Sequence, residues 1–235
     1  MHHVILERWS RGGSWLHHRD PRAKTAALLI LLVLIATSHA GFWLLGAAYF
    51  AVLVAALAWA RLPLGGALAR SAIVLPFSLV FAAISLLAGD PARAGALVVR
   101  SYLSALAVLV LISTTPLPEL LRGLESMGVP RFLLMVVQFL YRYLFVISEE
   151  AQHMRAAAVA RGGARWRAAA GALAVLFARS YARAENIHQA MLARGFGGHF
   201  ELLLGSRFGW ADAWFLLAAG GGAAAIRFAI ERVAR

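Results

Sequence analysis

Ala160-Arg161-Gly162 and Ala193-Arg194-Gly195 repeat one tripeptide at an offset of 33 residues, each at the end of an Ala-rich stretch. Gly is the usual residue just past a helix end, and an Arg in the last turn suits the negative end of the helix dipole. Capping explains either copy alone; two copies ask for more. The guanidinium is always charged, and its planar fork bonds carboxylates or carbonyls bidentately. An Ala-rich helix ending in that group is a thin rod with a fixed cation at its tip. Two such rods suit two equivalent grooves on a dimeric cytoplasmic partner. A helix seated in a groove transmits motion where a loose loop does not.

Other residues of the right type lack the right spacing. Glu149 and Glu150 are adjacent on a helix and point about 100° apart, so they do not converge on one substrate atom. Pairing with Arg155 or Arg142 is the expectation for them. His2, His3, His17 and His18 form adjacent pairs without the i, i+4 spacing of a metal site, and no carboxylate cluster accompanies them. They read as part of a solvated N-terminal segment, and no metal site is expected. Asp20 before Pro21 reads as an N-cap with Pro at the first helical position. The chain has no cysteine, which removes disulfides, thiolate metal ligands and a thiol nucleophile. Gly65-Gly66 and Gly220–Gly222 are not followed by Gly-Lys-Ser/Thr, so no phosphate loop is read.

The elements that must position the tripeptides are membrane helices. Of the 235 residues 61% are hydrophobic and 14% charged, with a mean hydropathy of +0.72. Soluble domains are nearer half apolar and a quarter charged. The net charge of +12 reports topology in such a chain, because basic residues stay on the cytoplasmic side. No basic groove interleaved with aromatics points to nucleic acid. The polar first twenty residues contain no signal-peptide h-region, so the first span is the expected insertion signal.

Residues 1–24 read as a cytoplasmic N-terminal segment and 25–115 as four transmembrane helices. Thr25 to Ala60 holds no charged residue. As one helix it would be about 54 Å long against a hydrocarbon core of about 30 Å, so it folds back at Thr37–Gly41. The spans expected are Arg22–Thr37, Phe42–Ala60, Ser71–Gly89 (interrupted by Pro76) and Ser101–Thr115. Residues 116–207, with eleven arginines and six glutamates, read as a cytoplasmic helical region. In it Phe132–Ile147 is apolar around Arg142, which is costly in lipid. That stretch is expected to lie against the membrane face or be buried in the region. Ala168–Ala178 is expected to be a short packed helix. Residues 208–235 supply a fifth span, Phe208–Ile226, whose following arginines then fall outside, against the positive-inside tendency. The fold class is therefore an all-α integral membrane protein.

The paired tripeptides, the "DPRAK" run Asp20–Lys24 and the stretch from Tyr141 to Gly162 together resemble the transmembrane T component of energy-coupling factor (ECF) transporters. The N-terminal run is similar to the cobalt-type, CbiQ-like branch. The resemblance covers nearly the whole chain. It implies a scaffold that is not an enzyme and carries no cofactor. Two cytoplasmic ATP-binding subunits would dock at Ala160, Arg161, Gly162, Ala193, Arg194 and Gly195. A substrate-capture integral membrane subunit would receive the motion, and for cobalt that partner would bind the metal. The implied location is the bacterial cytoplasmic membrane. Alternatives are a T component for nickel, biotin or several vitamins, and a non-transducing membrane assembly or anchoring protein.

Overall fold

A computed structural model of the chain describes residues 9–10, 12–38, 42–162, 165–197 and 209–233. Among them every regular element is helical. Two compact units divide the chain: residues 1–127 with 205–235, and residues 128–204.

The first unit holds α1 (Pro21–Ala36), α2 (Phe42–Trp59), α3 (Leu64–Leu87), α4 (Pro91–Thr114), α5 (Leu117–Ser126) and α8 (Trp210–Leu216, a π-helical turn Leu217–Gly221, then Gly222–Val233). Asp20 caps α1, its carboxylate accepting the Arg22 N–H at 2.8 Å with Pro21 at the first helical position. Asp90 and Pro91 start α4 in the same way, the Asp90 carboxylate accepting from Arg93 N–H at 2.9 Å. Pro76 lies inside α3 and has no N–H for the carbonyl of Ala72. The N–H of Leu75 donates to that carbonyl instead, through a 3-10 turn over Ala72–Val74. This local repair keeps α3 continuous in a medium that offers no water to a freed carbonyl.

The third and fourth helices begin earlier than the hydropathy suggests, at Leu64 and Pro91 rather than Ser71 and Ser101. Apolar character marks lipid contact, whereas helix ends follow local backbone signals: the Asp90 cap starts α4, and Pro63, with extended backbone and no side-chain cap bond, immediately precedes α3. Leu45, Tyr49, Leu53 and Leu57 recur every fourth residue and form the buried stripe of α2 against Leu103 and Leu106 of α4. The rest of the apolar surface faces outward: Trp43, Phe77, Leu87 and Trp214 are all exposed. A stripe-sized core with apolar residues on every other face is the pattern of helices bathed in lipid.

The glycines of α8 serve unequal ends. A Cβ at Gly220 would stand 3.2 Å from Ile30 of α1, so the two helices approach closely there, while Gly221 and Gly222 face open space. The arginine that follows the last apolar run is also compensated. Arg227 bonds Glu231 at 2.8 Å and donates to the Thr37 carbonyl at 3.0 Å, at the negative end of α1. Its charge is thus held by a carboxylate and a helix end, which softens the conflict with the positive-inside tendency.

The second unit holds α6 (Arg131–Ala160) and α7 (Arg165–Ala193). Phe132–Ile147 is the first half of the 30-residue α6, which is long and apolar enough to cross a membrane. It is not buried within the region: Leu134 is its one buried residue, and Phe132, Leu133, Leu140 and Leu144 are exposed. Ala168–Ala178 is not a separate short helix either. It is continuous with the following segment in the 29-residue α7, because nothing from Ala168 to Ala193 except Gly171 weakens helix propensity strongly.

Candidate functional site

Both tripeptides close a long helix in the same geometry. Ala160 is the last residue of α6, Arg161 its cap, and Gly162 follows with φ +66°. Ala193 ends α7, Arg194 follows, and Gly195 has φ +75°. The Gly162 N–H donates to Val159 O at 3.1 Å and the Gly195 N–H to Leu192 O at 2.9 Å. At the second tip the Phe196 N–H also reaches Met191 O at 3.0 Å, completing a Schellman motif. A Cβ at either glycine would meet nothing within 4 Å. Glycine is needed there for its backbone angle, not for space. Arg161 and Arg194 are both exposed.

The two tips do not sit side by side. Glu150 of α6 bonds Arg179 at 2.5 Å and Arg183 at 3.2 Å on α7. Met135 and Val136, near the start of α6, line the same groove as Met191 and Phe196, near the end of α7. Residues late in one helix thus meet residues early in the other, so the pair is antiparallel. A 29-residue helix is about 43 Å long. Arg161 and Arg194 therefore mark opposite ends of the pair, about 40 Å apart along its axis. The groove between the helices, about 570 Å³, is mostly apolar, with Glu150, Arg179, Arg183 and His188 among its lining residues.

Glu150 differs from the sequence expectation. Its partners come from α7, not from Arg155 or Arg142 on its own helix. Arg142 instead lies 5.9 Å from the Tyr143 ring centroid.

A second polar cluster, in the first unit, was only partly legible in sequence. Lys24 is buried and donates to three oxygens: His17 O at 3.1 Å, Thr114 O at 3.0 Å and Thr115 Oγ1 at 3.2 Å. Asp212, also buried, accepts from the backbone N–H of Asp20 at 3.2 Å and of Gly209 at 3.1 Å, and lies 3.7 Å from Arg19. These bonds join the N-terminal segment, α1, the end of α4 and the start of α8. The chain's single lysine, followed by no charge until Arg61, was the available signal. His17 is likewise buried rather than solvated: its Nε2 donates to Trp9 O at 3.0 Å and its Nδ1 accepts from Ser14 Oγ at 2.6 Å. His2, His3 and His39 lie outside the described residues. Among the described residues no three His, Asp or Glu side chains come together as a metal site.

Helices long and apolar enough to cross a membrane, a lipid-facing surface and a small internal core define a multi-pass membrane protein. The chain belongs to the CbiQ family of cobalt transport proteins, which it matches over residues 12–202, a span that includes both tripeptides. It is 36% identical over 149 residues to the cobalt transport protein CbiQ of Rhodobacter capsulatus, an alignment covering 61% of each chain. It is 32% identical over 105 residues to the nickel permease LarQ of Lactiplantibacillus plantarum, covering 42% of this chain and 38% of that one. The chain thus spans about three fifths of the first relative's length and under two fifths of the second's.

Proposed function

We propose that this chain is the membrane scaffold and energy-coupling subunit of an ECF-type importer in the bacterial cytoplasmic membrane, serving cobalt uptake. One observation carries the reading: two arginine-bearing helix ends, each closed by a positive-φ glycine, stand at opposite ends of one antiparallel pair. Each tip engages one of two cytoplasmic ATP-binding subunits, with Ala160, Arg161, Gly162, Ala193, Arg194 and Gly195 at the contacts. Closure of the ATPase pair about bound nucleotide changes the distance between their grooves. A pair of stiff helices anchored at both ends converts that change into tilt or sliding, which the spans pass to a substrate-capture membrane subunit. Glu150 resists shear between α6 and α7 by gripping Arg179 and Arg183. The exposed apolar half of α6 offers the surface on which lipid or the capture subunit packs.

In this reading the chain catalyses no reaction and the transported ion is bound by the capture subunit. The similarity to a nickel permease makes nickel the second cargo. Co-purification from gently solubilised native membranes tests the mechanism, comparing the wild type with an Arg161→Glu/Arg194→Glu variant. ATPase subunits should accompany the wild type and be lost from an equally well inserted variant. Equal retention would reduce the tips to ordinary helix caps.

A further inference from the structure

We propose that the corner between α2 and α3 binds the phosphate of an anionic phospholipid, with Arg61 supplying the cation. This inference rests on the expected cytoplasmic side of the N-terminal segment and not on the docking role of the two tips. An open cavity of about 330 Å³ lies there, lined among others by Trp9, Gly12, Gly13, Ser14, His17 and Arg61. Arg61 is exposed, and among the described residues no carboxylate pairs with its guanidinium.

The backbone at Arg61 is the telling feature. Helix α2 ends in a Schellman motif, with Leu62 N–H donating to Leu57 O at 3.1 Å and Arg61 N–H to Ala58 O at 3.0 Å. Arg61 occupies the position of that motif where φ must be positive, and its φ is +56°. Wherever else a described residue has positive φ (89, 128, 162 and 195), the chain uses glycine. An L side chain is strained in that region, so its presence here marks a position where the side chain is worth the strain. The cavity floor is already satisfied, His17 being bonded to Trp9 O and Ser14 Oγ. Gly12 packs flush on the His17 ring, where a Cβ would come within 2.7 Å, while Gly13 faces open space. Among the described residues lining the cavity, Arg61 is the one with a charge to offer.

The surroundings favour a lipid over a free anion. Trp59, 75% exposed, stacks on Trp15, 51% exposed, with ring centroids 6.0 Å apart. Tryptophans settle at the headgroup level, and the cytoplasmic leaflet is the anionic one. Trp59 precedes Arg61 by two residues at the end of α2, and Arg19 lies 3.9 Å over the Trp15 ring, so indoles and guanidinium groups gather at this corner as a phosphate that continues into an acyl chain requires.

The full-length chain, purified in neutral detergent, tests this. Its thermal unfolding midpoint is measured with added phosphatidylglycerol, phosphatidylcholine or inorganic phosphate, for wild type, Arg61→Gly and Arg93→Gln. Glycine suits the positive φ, so Arg61→Gly keeps its fold, and Arg61→Asn serves as a second variant. Arg93 is an exposed arginine of α4 that controls for net charge. Phosphatidylglycerol should raise the midpoint of wild type and Arg93→Gln, with half-effect at about tenfold higher lipid in both Arg61 variants. An equal response in the Arg61 variants overturns the site. An equal shift from phosphatidylcholine or inorganic phosphate overturns the lipid assignment.

Discussion

The ammonium of Lys24 donates to the backbone carbonyl of Thr114 at 3.0 Å, tying the first turn of α1 to the last residue of α4. The chain continues from there through Thr115 and Pro116 into α5, which packs back on α1 where a Cβ at Gly123 would stand 3.1 Å from Pro21. The knot thus fixes the point where the four-helix bundle gives way to the rest of the chain. Lys24→Met keeps the length of the side chain but leaves His17 O, Thr114 O and Thr115 Oγ1 without their donor. We expect a loss of about 1–3 kcal/mol, the cost of unsatisfied buried polar groups. Denaturant unfolding in mild detergent reads it, and an unchanged midpoint would show that water replaces the ammonium.

The antiparallel arrangement of α6 and α7 makes a distance prediction. The chain has no native cysteine, so an Arg161→Cys/Arg194→Cys variant takes spin labels at those two sites alone. Pulsed dipolar spectroscopy should find a distribution centred at about 40 Å. A centre near half that value would mean that the tips lie together and the hairpin is wrong.

Gly162 and Gly195 should tolerate Asn better than Ala. Both have positive φ and open space around them, so Ala adds backbone strain of about 1–2 kcal/mol without a clash, whereas Asn visits that region more readily. Hydrogen exchange at the Phe196 amide, which closes the second motif on Met191 O, should accelerate in Gly195→Ala and much less in Gly195→Asn. The same order in ATPase retention is expected if the tips dock as proposed. Equal exchange in both variants would mean the cap contributes little.

Arg227 should help fix the last helix against the first. Replacing it with Met removes the donor to Thr37 O and leaves Glu231 alone. Because the pair is partly exposed, the cost should be modest, about 1 kcal/mol. If the charge is compensated locally, a reporter enzyme fused after Arg235 should show the same membrane side in wild type and in Arg227→Met. A reversed or mixed orientation in the variant would mean that Arg227 sets topology.

Helical character, membrane residence and the two arginine tips were legible in the sequence because each is a one-dimensional signal. Apolar content reports the solvent of a segment, and Gly after an Ala-rich run reports a helix end. Boundaries were less legible: lipid and protein neighbours look alike to hydropathy, and α3 starts at Leu64 just after Pro63 while the start of α4 at Pro91 follows from the Asp90 cap. The fusion of Ala168–Ala178 into α7 shows the same limit, since an apolar segment need not be a separate helix.

What the sequence by itself determined was which segments are helical, which surfaces must avoid water, and where two rigid ends carry a cation. Only the tertiary structure decided how those pieces pair. Glu150 finds Arg179 and Arg183 instead of its own helix neighbours, Lys24 reaches a carbonyl 90 positions away, and Arg161 and Arg194 separate to opposite ends of one hairpin. The reason is physical. Propensity, caps and hydropathy act within a turn or two of the chain, whereas partners for a long polar side chain are set by which helices pack together. In a lipid-facing bundle the apolar pattern is nearly uniform around each helix, so it leaves that choice to shape and to a few buried polar bonds.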